Sequence, residues 1–184
     1  VIEQLEGRID MLLAVIENSQ VCNYGQSSTV VKLASGKLEI LREGAIEKDR
    51  IMKTSLVQIL FVCTGNTCRS PLCEYLCKKY ISKKLNSNLD ELADKGYKVI
   101  SAGVNAFDGF PASAEVVDLC SEKGIDASTH KSRCLTTEMV EKSDIIFAMT
   151  ESHRQAILSM CPQAAGKCFL LAGEKDIADP IGGG

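Results

Sequence analysis

The sequence predicts an α/β fold in which a parallel β-sheet carries helices on both faces. Short segments rich in β-branched and aromatic residues alternate with segments of helical periodicity. The first of these strand-like segments, residues 56–62, is apolar almost throughout, which is typical of a strand covered on both sides. Alternation of this kind indicates βαβ units. Ligands of such sheets bind beyond the carboxyl ends of the strands, so functional residues are expected in the loops at those ends.

Four strands and three helices are predicted in this part of the chain. The first helix is expected to begin at Pro71, because proline is favoured in the first turn, where its missing N–H needs no partner. The remaining elements follow the same alternation of short apolar segments and amphipathic ones. The predicted strands are 56–62, 97–101, 144–149 and 167–171, and the predicted helices are 71–80, 112–123 and 151–160.

Residues 1–55 have a different pattern, which predicts a separate segment in front of a domain formed by residues 56–184. Apolar residues recur at helical spacing between residues 2 and 16. Two strand-like runs, 28–33 and 38–41, are joined by a short turn and predict a hairpin. The charged stretch 47–53 is predicted to be a linker.

The composition predicts a cytosolic protein that binds neither nucleic acid nor membrane. The 184 residues carry a net charge of −3, and no apolar run approaches the roughly 20 residues needed to span a bilayer. The nine cysteines are an odd number, and four of them, Cys73, Cys77, Cys120 and Cys168, lie in apolar periodic stretches. Reduced, buried thiols explain these four better than a disulfide framework does. No C-x-x-C pair is present, so no metal site is predicted.

The loop between the first predicted strand and helix carries the chemistry. Its sequence from Cys63 to Pro71 is Cys-Thr-Gly-Asn-Thr-Cys-Arg-Ser-Pro. A loop that enters a helix N-terminus can curl its backbone N–H groups around an anion, and Gly65 and Asn66 tolerate the positive φ that such a cradle requires. Arg69 supplies a bidentate fork for phosphate. These amides and the helix terminus also favour the thiolate form of Cys63, which makes it the predicted nucleophile.

Other residues of the loop are predicted to bind the phosphate or assist the thiolate. Ser70 is positioned to donate its hydroxyl to the sulfur of Cys63. The predicted phosphate-binding residues are Thr64, Gly65, Asn66, Thr67, Cys68 and Ser70.

A general acid is expected near the end of the chain, where Asp179 precedes Pro180 in a polar loop. Alone, this pair is equally typical of an Asx turn before proline. With a nucleophilic cysteine loop present, Asp179 is predicted to protonate the leaving group and then to deprotonate the hydrolytic water.

The Cys63–Pro71 loop, the Ser-Ala-Gly-Val run 101–104 and Asp179-Pro180 together resemble the low-molecular-weight protein tyrosine phosphatase family over residues 56–184. The resemblance implies a four-stranded parallel sheet and a two-step mechanism without metal or cofactor. It also implies a reversible disulfide between Cys68 and Cys63, against the alternative that Cys68 only fills the loop. Family members continue into a final long helix, which residues 56–184 are expected to lack.

Two positions indicate phosphoarginine as the substrate. At the position of Thr67, members that resemble the bacterial protein arginine phosphatase also carry threonine, whereas tyrosine-directed members usually carry isoleucine. The residues after Asp179-Pro180 are Ile and Gly, without the aromatic wall of tyrosine-directed members. Phe107 and Phe110 either line the entrance or pack internally. A protein tyrosine phosphatase remains the second interpretation.

Three further features of the sequence lead to predictions outside this loop. Arsenate reductases share the cysteine–arginine loop and relay oxidation through two more cysteines. Cys161 and Cys168 have a suitable spacing, but Thr150 stands where the first relay cysteine belongs.

Residues 1–55 resemble the end of a threonylcarbamoyl-adenylate synthase domain, with Ser28 and Arg42 as relics of its site. That segment has two interpretations: it is either a fragment of such a tRNA-modifying fusion or a hairpin appendage of the phosphatase domain. The histidines, at positions 130 and 153, are predicted to lie at the surface or to cap helices.

Overall fold

The computed structural model describes residues 25–34, 37–54 and 56–180. The described residues fall into two compact units that divide between Ile51 and Met52. The helix predicted between residues 2 and 16, the turn at 35–36 and the residues after Pro180 lie outside this part of the chain.

The first unit contains the predicted hairpin. Strands β1 (Val30–Ala34) and β2 (Lys37–Arg42) pair in antiparallel fashion, which confirms the prediction. Arg42 donates from Nε and Nη2 to the carbonyl of Ser28, at 3.2 and 2.9 Å, so these two residues of the synthase-like segment contact each other. Thr29 accepts from the backbone N–H groups of Gly44 and Ile46 at 3.0 and 3.2 Å and thereby holds the loop after β2.

The linker prediction for residues 47–53 was wrong, because helix α1 (Lys48–Thr54) occupies this stretch. The carboxylate of Glu43 accepts the N–H of Lys48 at 2.9 Å and caps the start of the helix. A run of charges is therefore compatible with a helix when a preceding acidic side chain satisfies its first N–H group.

The second unit is a four-stranded parallel sheet, as predicted. Its strands are β3 (Val57–Cys63), β4 (Tyr97–Gly103), β5 (Ile145–Ala148) and β6 (Cys168–Leu170), in the spatial order β4-β3-β5-β6. The intervening helices are α2 (Arg69–Leu85), α3 (Ala114–Glu122), α4 (Thr137–Lys142) and α5 (Glu151–Met160). Short 3-10 helices cover Leu89–Glu91 and Pro162–Lys167.

Helices cover both faces of the sheet because apolar side chains of the central strand β3 alternate between two cores. Leu60 and Val62 point to one face, where they pack with residues of α4 and α5. Phe61 and Cys63 point to the other face, where Cys73 and Cys77 of α2 pack against them. A third cluster joins α3 to α2. Because β3 pairs in parallel with both β4 and β5, the carboxyl ends of these three strands meet at one edge of the sheet, where the cysteine loop lies.

The start of α2 and the presence of α4 differ from the sequence expectation. Helix α2 begins at Arg69, so Pro71 is the third rather than the first helical residue, although its missing N–H still falls in the first turn, where no intrahelical partner exists. Helix α4 was not predicted, since it is a six-residue element; the signal was present in Thr136, whose hydroxyl accepts the N–H of Met139 at 3.2 Å as an N-cap.

Candidate active site

The cysteine loop runs from the last residue of β3 to the first residue of α2. Backbone bonds tie it to the segment after β4: Val104 N–H donates to the carbonyl of Cys63 at 2.9 Å, and Asn105 N–H donates to that of Thr64 at 3.0 Å. The two segments approach so closely at Gly103 that a Cβ there would lie 2.4 Å from the Thr64 carbonyl oxygen. Gly103 is therefore required by contact distance.

Asn66 is the structural centre of the loop. It is fully buried and has φ 54°, in the left-handed region that asparagine tolerates. Its Nδ2 donates to Ser70 Oγ at 3.0 Å and to Ser101 Oγ at 2.8 Å, and its Oδ1 accepts the N–H of Arg133 at 2.9 Å. Gly65, by contrast, does not adopt a positive φ, so only one of the two residues proposed for that role uses it.

A second layer of buried polar groups supports Asn66 from behind. Ser101 donates its hydroxyl to Glu74 Oε2 at 2.6 Å, and Glu74 is also paired with Lys78. The Nε2 atom of His130 lies 2.8 Å from the carbonyl oxygen of Asn66. Each of these contacts satisfies a polar group that would be costly to bury alone, and together they fix the loop conformation.

The sulfur of Cys63 is buried beside a hydroxyl group and a backbone N–H group. Its Sγ lies 2.9 Å from Ser70 Oγ and 3.3 Å from the backbone N of Asn66, which donates to it. The N-terminus of α2 adds its positive dipole end to these donors. The sulfur can therefore accept hydrogen bonds from the loop, and Ser70 occupies the position predicted for it.

A pocket of about 230 Å³ opens beside this sulfur. It is lined by Cys63, Thr64, Gly65, Thr67, Cys68, Arg69 and Asp179. Six loop residues and the distant aspartate, all proposed from the sequence, thus border one cavity. Asn66 and Ser70, also predicted to bind phosphate, are fully buried and do not line it. Burial raises the pKa of the Cys68 thiol, which keeps that thiol protonated around neutral pH.

Arg69 joins the loop to the aspartate segment. Its Nη2 donates to Asp179 Oδ2 at 2.6 Å and to Thr64 Oγ1 at 3.2 Å, and its Nη1 donates to the carbonyl of Ile177 at 3.1 Å. The segment itself is held by Ile177, whose N–H donates to the Met149 carbonyl at 2.8 Å. A carboxylate therefore rests on the guanidinium group at the rim of the pocket.

The surface prediction for the two histidines was wrong. His130 and His153 are only 3% and 5% exposed to solvent, and both contact the cysteine loop. Burial lowers the pKa of each imidazole. Their partners in the cysteine loop are far away in the chain, so neither local periodicity nor a short motif could have assigned these two contacts.

The aromatic pair proposed for the entrance lies beside the pocket. Phe107 and Phe110 are exposed and contact each other edge to face, with ring centroids 6.5 Å apart. With Gly65, Thr67 and Asn105 they line a second cavity of about 230 Å³. Because Gly65 and Thr67 border both cavities, this groove adjoins the nucleophile pocket. The entrance interpretation of the two phenylalanines agrees with this placement better than internal packing does.

Two features are absent from the described residues. No group of three or more histidine, cysteine or acidic side chains in residues 25–34, 37–54 and 56–180 has the arrangement of a metal site. Within the same residues, no helix is long and apolar enough to cross a membrane.

Comparison with known proteins decides the family. Residues 58–184 match the model of the low molecular weight phosphotyrosine protein phosphatase family. The chain belongs to this family. It is therefore a cysteine-based phosphatase, and the enzyme prediction is confirmed. The match does not include residues 1–55, whose resemblance to a synthase domain stays a prediction.

Relatives within the low-molecular-weight phosphatases carry both substrate names. The protein-arginine-phosphatase of Geobacillus stearothermophilus is 40% identical over 131 residues, which span 68% of this chain and 80% of that protein. The low-molecular-weight protein-tyrosine-phosphatase Etp of Escherichia coli is 36% identical over 125 residues, 66% of this chain and 76% of its own. A solved mutant of the YwlE arginine phosphatase, described as having a phosphorylated active-site serine, is 36% identical with a TM-score of 0.58 and covers 70% of this chain and 81% of its own.

Proposed function

We propose that this phosphatase hydrolyses phosphoarginine in proteins, through a phosphate ester formed on Cys63. The observation that carries the substrate assignment is the position of Thr67, which borders both the pocket of the nucleophile and the adjoining groove. A hydroxyl at this point can bond a guanidinium N–H, which the isoleucine expected in tyrosine-directed members cannot do.

In the first step the thiolate of Cys63 attacks phosphorus and the P–N bond of phosphoarginine breaks. Arg69 and the backbone N–H groups of the loop hold the phosphoryl oxygens and stabilise the charge that develops on them. Asp179, in its protonated form, gives its proton to the departing guanidine nitrogen. The products of this step are a free arginine side chain and a cysteinyl-phosphate.

In the second step water attacks the same phosphorus and the S–P bond breaks. The carboxylate of Asp179 accepts a proton from this water, so the residue returns to its starting form. Ser70, 2.9 Å from the sulfur, donates a hydrogen bond to the thiolate as it leaves. A covalent phosphoenzyme is supported by the relative described with a phosphorylated active-site serine.

Asp179 has a second task in this proposal. In the structure its carboxylate bonds Arg69, a guanidinium group, at 2.6 Å. A substrate phosphate competes for the same donors of Arg69. Once displaced, Asp179 lies at the rim of the pocket, where the substrate guanidinium enters, and the carbonyl oxygen of its protonated carboxyl group can accept a guanidinium N–H, a donor that a phenol ester lacks.

Hydrolysis of phosphotyrosine is the second candidate function. The specific observation in its favour is the groove beside Thr67, because its edge-to-face pair Phe107 and Phe110 offers aromatic surface to a phenol ring. The tyrosine-directed relative Etp adds support at 36% identity.

An arsenate relay is disfavoured by the places of the remaining cysteines. Cys161 and Cys168 are 0% and 1% exposed and belong to the core cluster beneath the sheet. Thr150, at the position expected for a relay cysteine, caps α5 by accepting the N–H of His153 at 3.3 Å.

The proposed substrates are phosphorylated proteins of the cytoplasm. All eight cysteines of the described residues are free thiols, which suits a reducing compartment. Neither a cofactor nor a metal has a role in the two steps proposed, since Arg69, the loop amides and Asp179 supply the charge stabilisation and the proton transfers.

The test is phosphate release from matched phosphoarginine and phosphotyrosine peptides, with Cys63→Ser as the inactive control. Faster release from phosphoarginine is expected. Thr67→Ile is expected to lower the ratio of phosphoarginine to phosphotyrosine hydrolysis by about 10-fold to 100-fold and so to reverse the preference, because one buried polar contact to the guanidinium is lost. Thr67→Ser, which keeps the hydroxyl, is the matched control and should retain the preference for phosphoarginine. Faster release from phosphotyrosine by the unmodified protein would overturn the substrate assignment and leave the cysteine mechanism intact.

A further inference from the structure

A buried histidine connects helix α5 to the phosphate clamp. His153 lies in the first turn of α5, with its Nε2 2.9 Å from Thr64 Oγ1 and its Nδ1 2.8 Å from Thr150 Oγ1. Thr64 in turn accepts a hydrogen bond from Nη2 of Arg69 at 3.2 Å. These four side chains form a continuous chain of hydrogen bonds from the end of β5 to the guanidinium group.

The donor inventory fixes the bond between Arg69 and Thr64, because arginine can only donate. In one arrangement that satisfies every group of the chain, Thr64 donates its own hydroxyl to His153. Nε2 of His153 then accepts, which places the ring proton on Nδ1, where it is donated to Thr150 Oγ1. A neutral imidazole fits this arrangement, and burial together with the nearby Arg69 lowers the pKa of His153 accordingly.

We propose that His153 is a positioning residue that acts through Thr64 to hold the guanidinium of Arg69 in the orientation needed to clamp the substrate phosphate. The inference rests on the proposed role of Arg69 as that clamp. His153 itself does not border the pocket, whereas Thr64 and Arg69 do. It therefore contributes by fixing the geometry of the group that touches the phosphate.

The effect is largest when substrate is bound. Without substrate, the fork of Arg69 is held at Thr64, at the Ile177 carbonyl and at Asp179. A bound phosphate competes with the contact to Asp179, which leaves Thr64 and Ile177 as the contacts within the protein that orient the fork. Loss of the Thr64 contact then leaves a long side chain free to rotate about the remaining one.

Two substitutions of His153 separate positioning from packing. His153→Leu fills the site with an apolar side chain and removes both ring hydrogen bonds, and it is expected to lower kcat/KM by about 10-fold to 100-fold through misplacement of Arg69. His153→Gln keeps an amide that can reach Thr64 and should recover much of this loss. Inhibition by inorganic phosphate should weaken in His153→Leu and recover in His153→Gln. Ser159→Ala, at an exposed position of the same helix, is the control expected to have unchanged activity.

Coupling to Thr64 gives a test that does not depend on the folding of one variant. Thr64→Val is expected to lower kcat/KM about as much as His153→Leu, and the double variant should lose little more, because both break the same chain. Thr64→Ser should restore activity. If His153→Leu does not fold, the loss in Thr64→Val and its recovery in Thr64→Ser still decide whether the contact to Arg69 matters.

Arg69→Lys distinguishes failure of this inference from failure of the proposed function. If Arg69→Lys keeps full activity, Arg69 is not the phosphate clamp and the proposed function is wrong. If Arg69→Lys is inactive while folded His153→Leu and Thr64→Val match the unmodified enzyme in kcat/KM and in phosphate inhibition, the clamp stands and the positioning role of His153 is overturned.

Discussion

The two halves of the active site are held in very different ways. Asn66, at the centre of the cysteine loop, is fully buried, and the loop makes hydrogen bonds to β4, to Ser70 of α2 and to the loops that carry His130 and Arg133. The segment that carries Asp179 is largely exposed. Its contacts include the backbone bond of Ile177, the packing of Ile177 against a core cluster, the cap that Asp176 gives to Glu151 at 2.7 Å, and the contacts to Arg69.

This difference teaches how the enzyme divides its work. A phosphate cradle must be organised in advance of substrate binding, because charge stabilisation in the transition state requires donors that are already in place. A proton donor instead has to reach leaving groups on large protein substrates. Asp179, 45% exposed at its side chain and bonded to the clamp, is placed so that substrate binding and release of the acid are linked.

The largest expected effect comes from the exposed half. Asp179→Asn keeps the size of the side chain and a hydrogen bond to Arg69 but removes proton transfer, so kcat should fall by about 10²-fold to 10⁴-fold. Inhibition by inorganic phosphate should stay equal or strengthen, because a charged competitor for Arg69 is gone. Asp176→Asn, in the same segment, is the matched control with a smaller loss. Steady-state kinetics on phosphoarginine peptide provides the measurement, and an unchanged kcat in Asp179→Asn would show that the acid lies elsewhere.

The conformation of the cysteine loop is expected to be most sensitive to substitution at Gly103. A methyl group there would meet the backbone of Thr64 and Asn66, so Gly103→Ala should distort the loop and lower the free energy of unfolding by about 1–3 kcal/mol. Activity should fall with it, by about tenfold or more. Gly166→Ala, where a Cβ would meet open space, is the matched control. Denaturant unfolding and kinetics of both variants check this, and equal behaviour of the two would contradict a tightly fitted loop.

Cys68 tests whether the organised half is also a redox switch. If it is, peroxide should oxidise the Cys63 thiolate to a sulfenic acid, and attack by the Cys68 sulfur should then form a disulfide and release water. Activity of the unmodified enzyme should return after a thiol reductant is added, whereas Cys68→Ser should lose most of its activity irreversibly through further oxidation. Cys134→Ser, an exposed cysteine, is the control that should recover like the unmodified enzyme. Equal recovery of Cys68→Ser would mean that Cys68 only fills the loop.

The smallest expected effect concerns acid stability. Burial lowers the pKa of His130 in the folded protein, so between that value and the unfolded pKa of about 6.5 the unfolded chain binds more protons. The contribution of the neutral His130 to the free energy of unfolding is therefore fully present above about pH 6.5 and decreases as the pH falls below that value. His130→Gln should make this decrease shallower, whatever it does to stability at neutral pH. Unfolding curves between about pH 7.5 and pH 5 provide the slopes, and identical slopes would contradict a buried neutral imidazole.

The parts of the site that are continuous in sequence were predictable. Strand, loop and helix follow one another within residues 57–85, so local order alone places Cys63 and Arg69 on one cradle. The four-stranded parallel sheet followed from the alternation of apolar strands and amphipathic helices. Asp179 was predicted because the chemistry requires an acid, and the fold brings it to the same pocket.

What the sequence by itself determined, then, is the fold class, the cysteine loop and the need for an acid, since these depend on local order and on chemistry. Tertiary structure alone decided what holds the loop. The partners Ser101, His130 and His153 lie 35, 64 and 89 residues from the loop residues they contact, and isolated polar residues carry no periodic signal. Their roles arise because a folded core leaves the loop's polar groups without water, so each must find a partner wherever the chain returns.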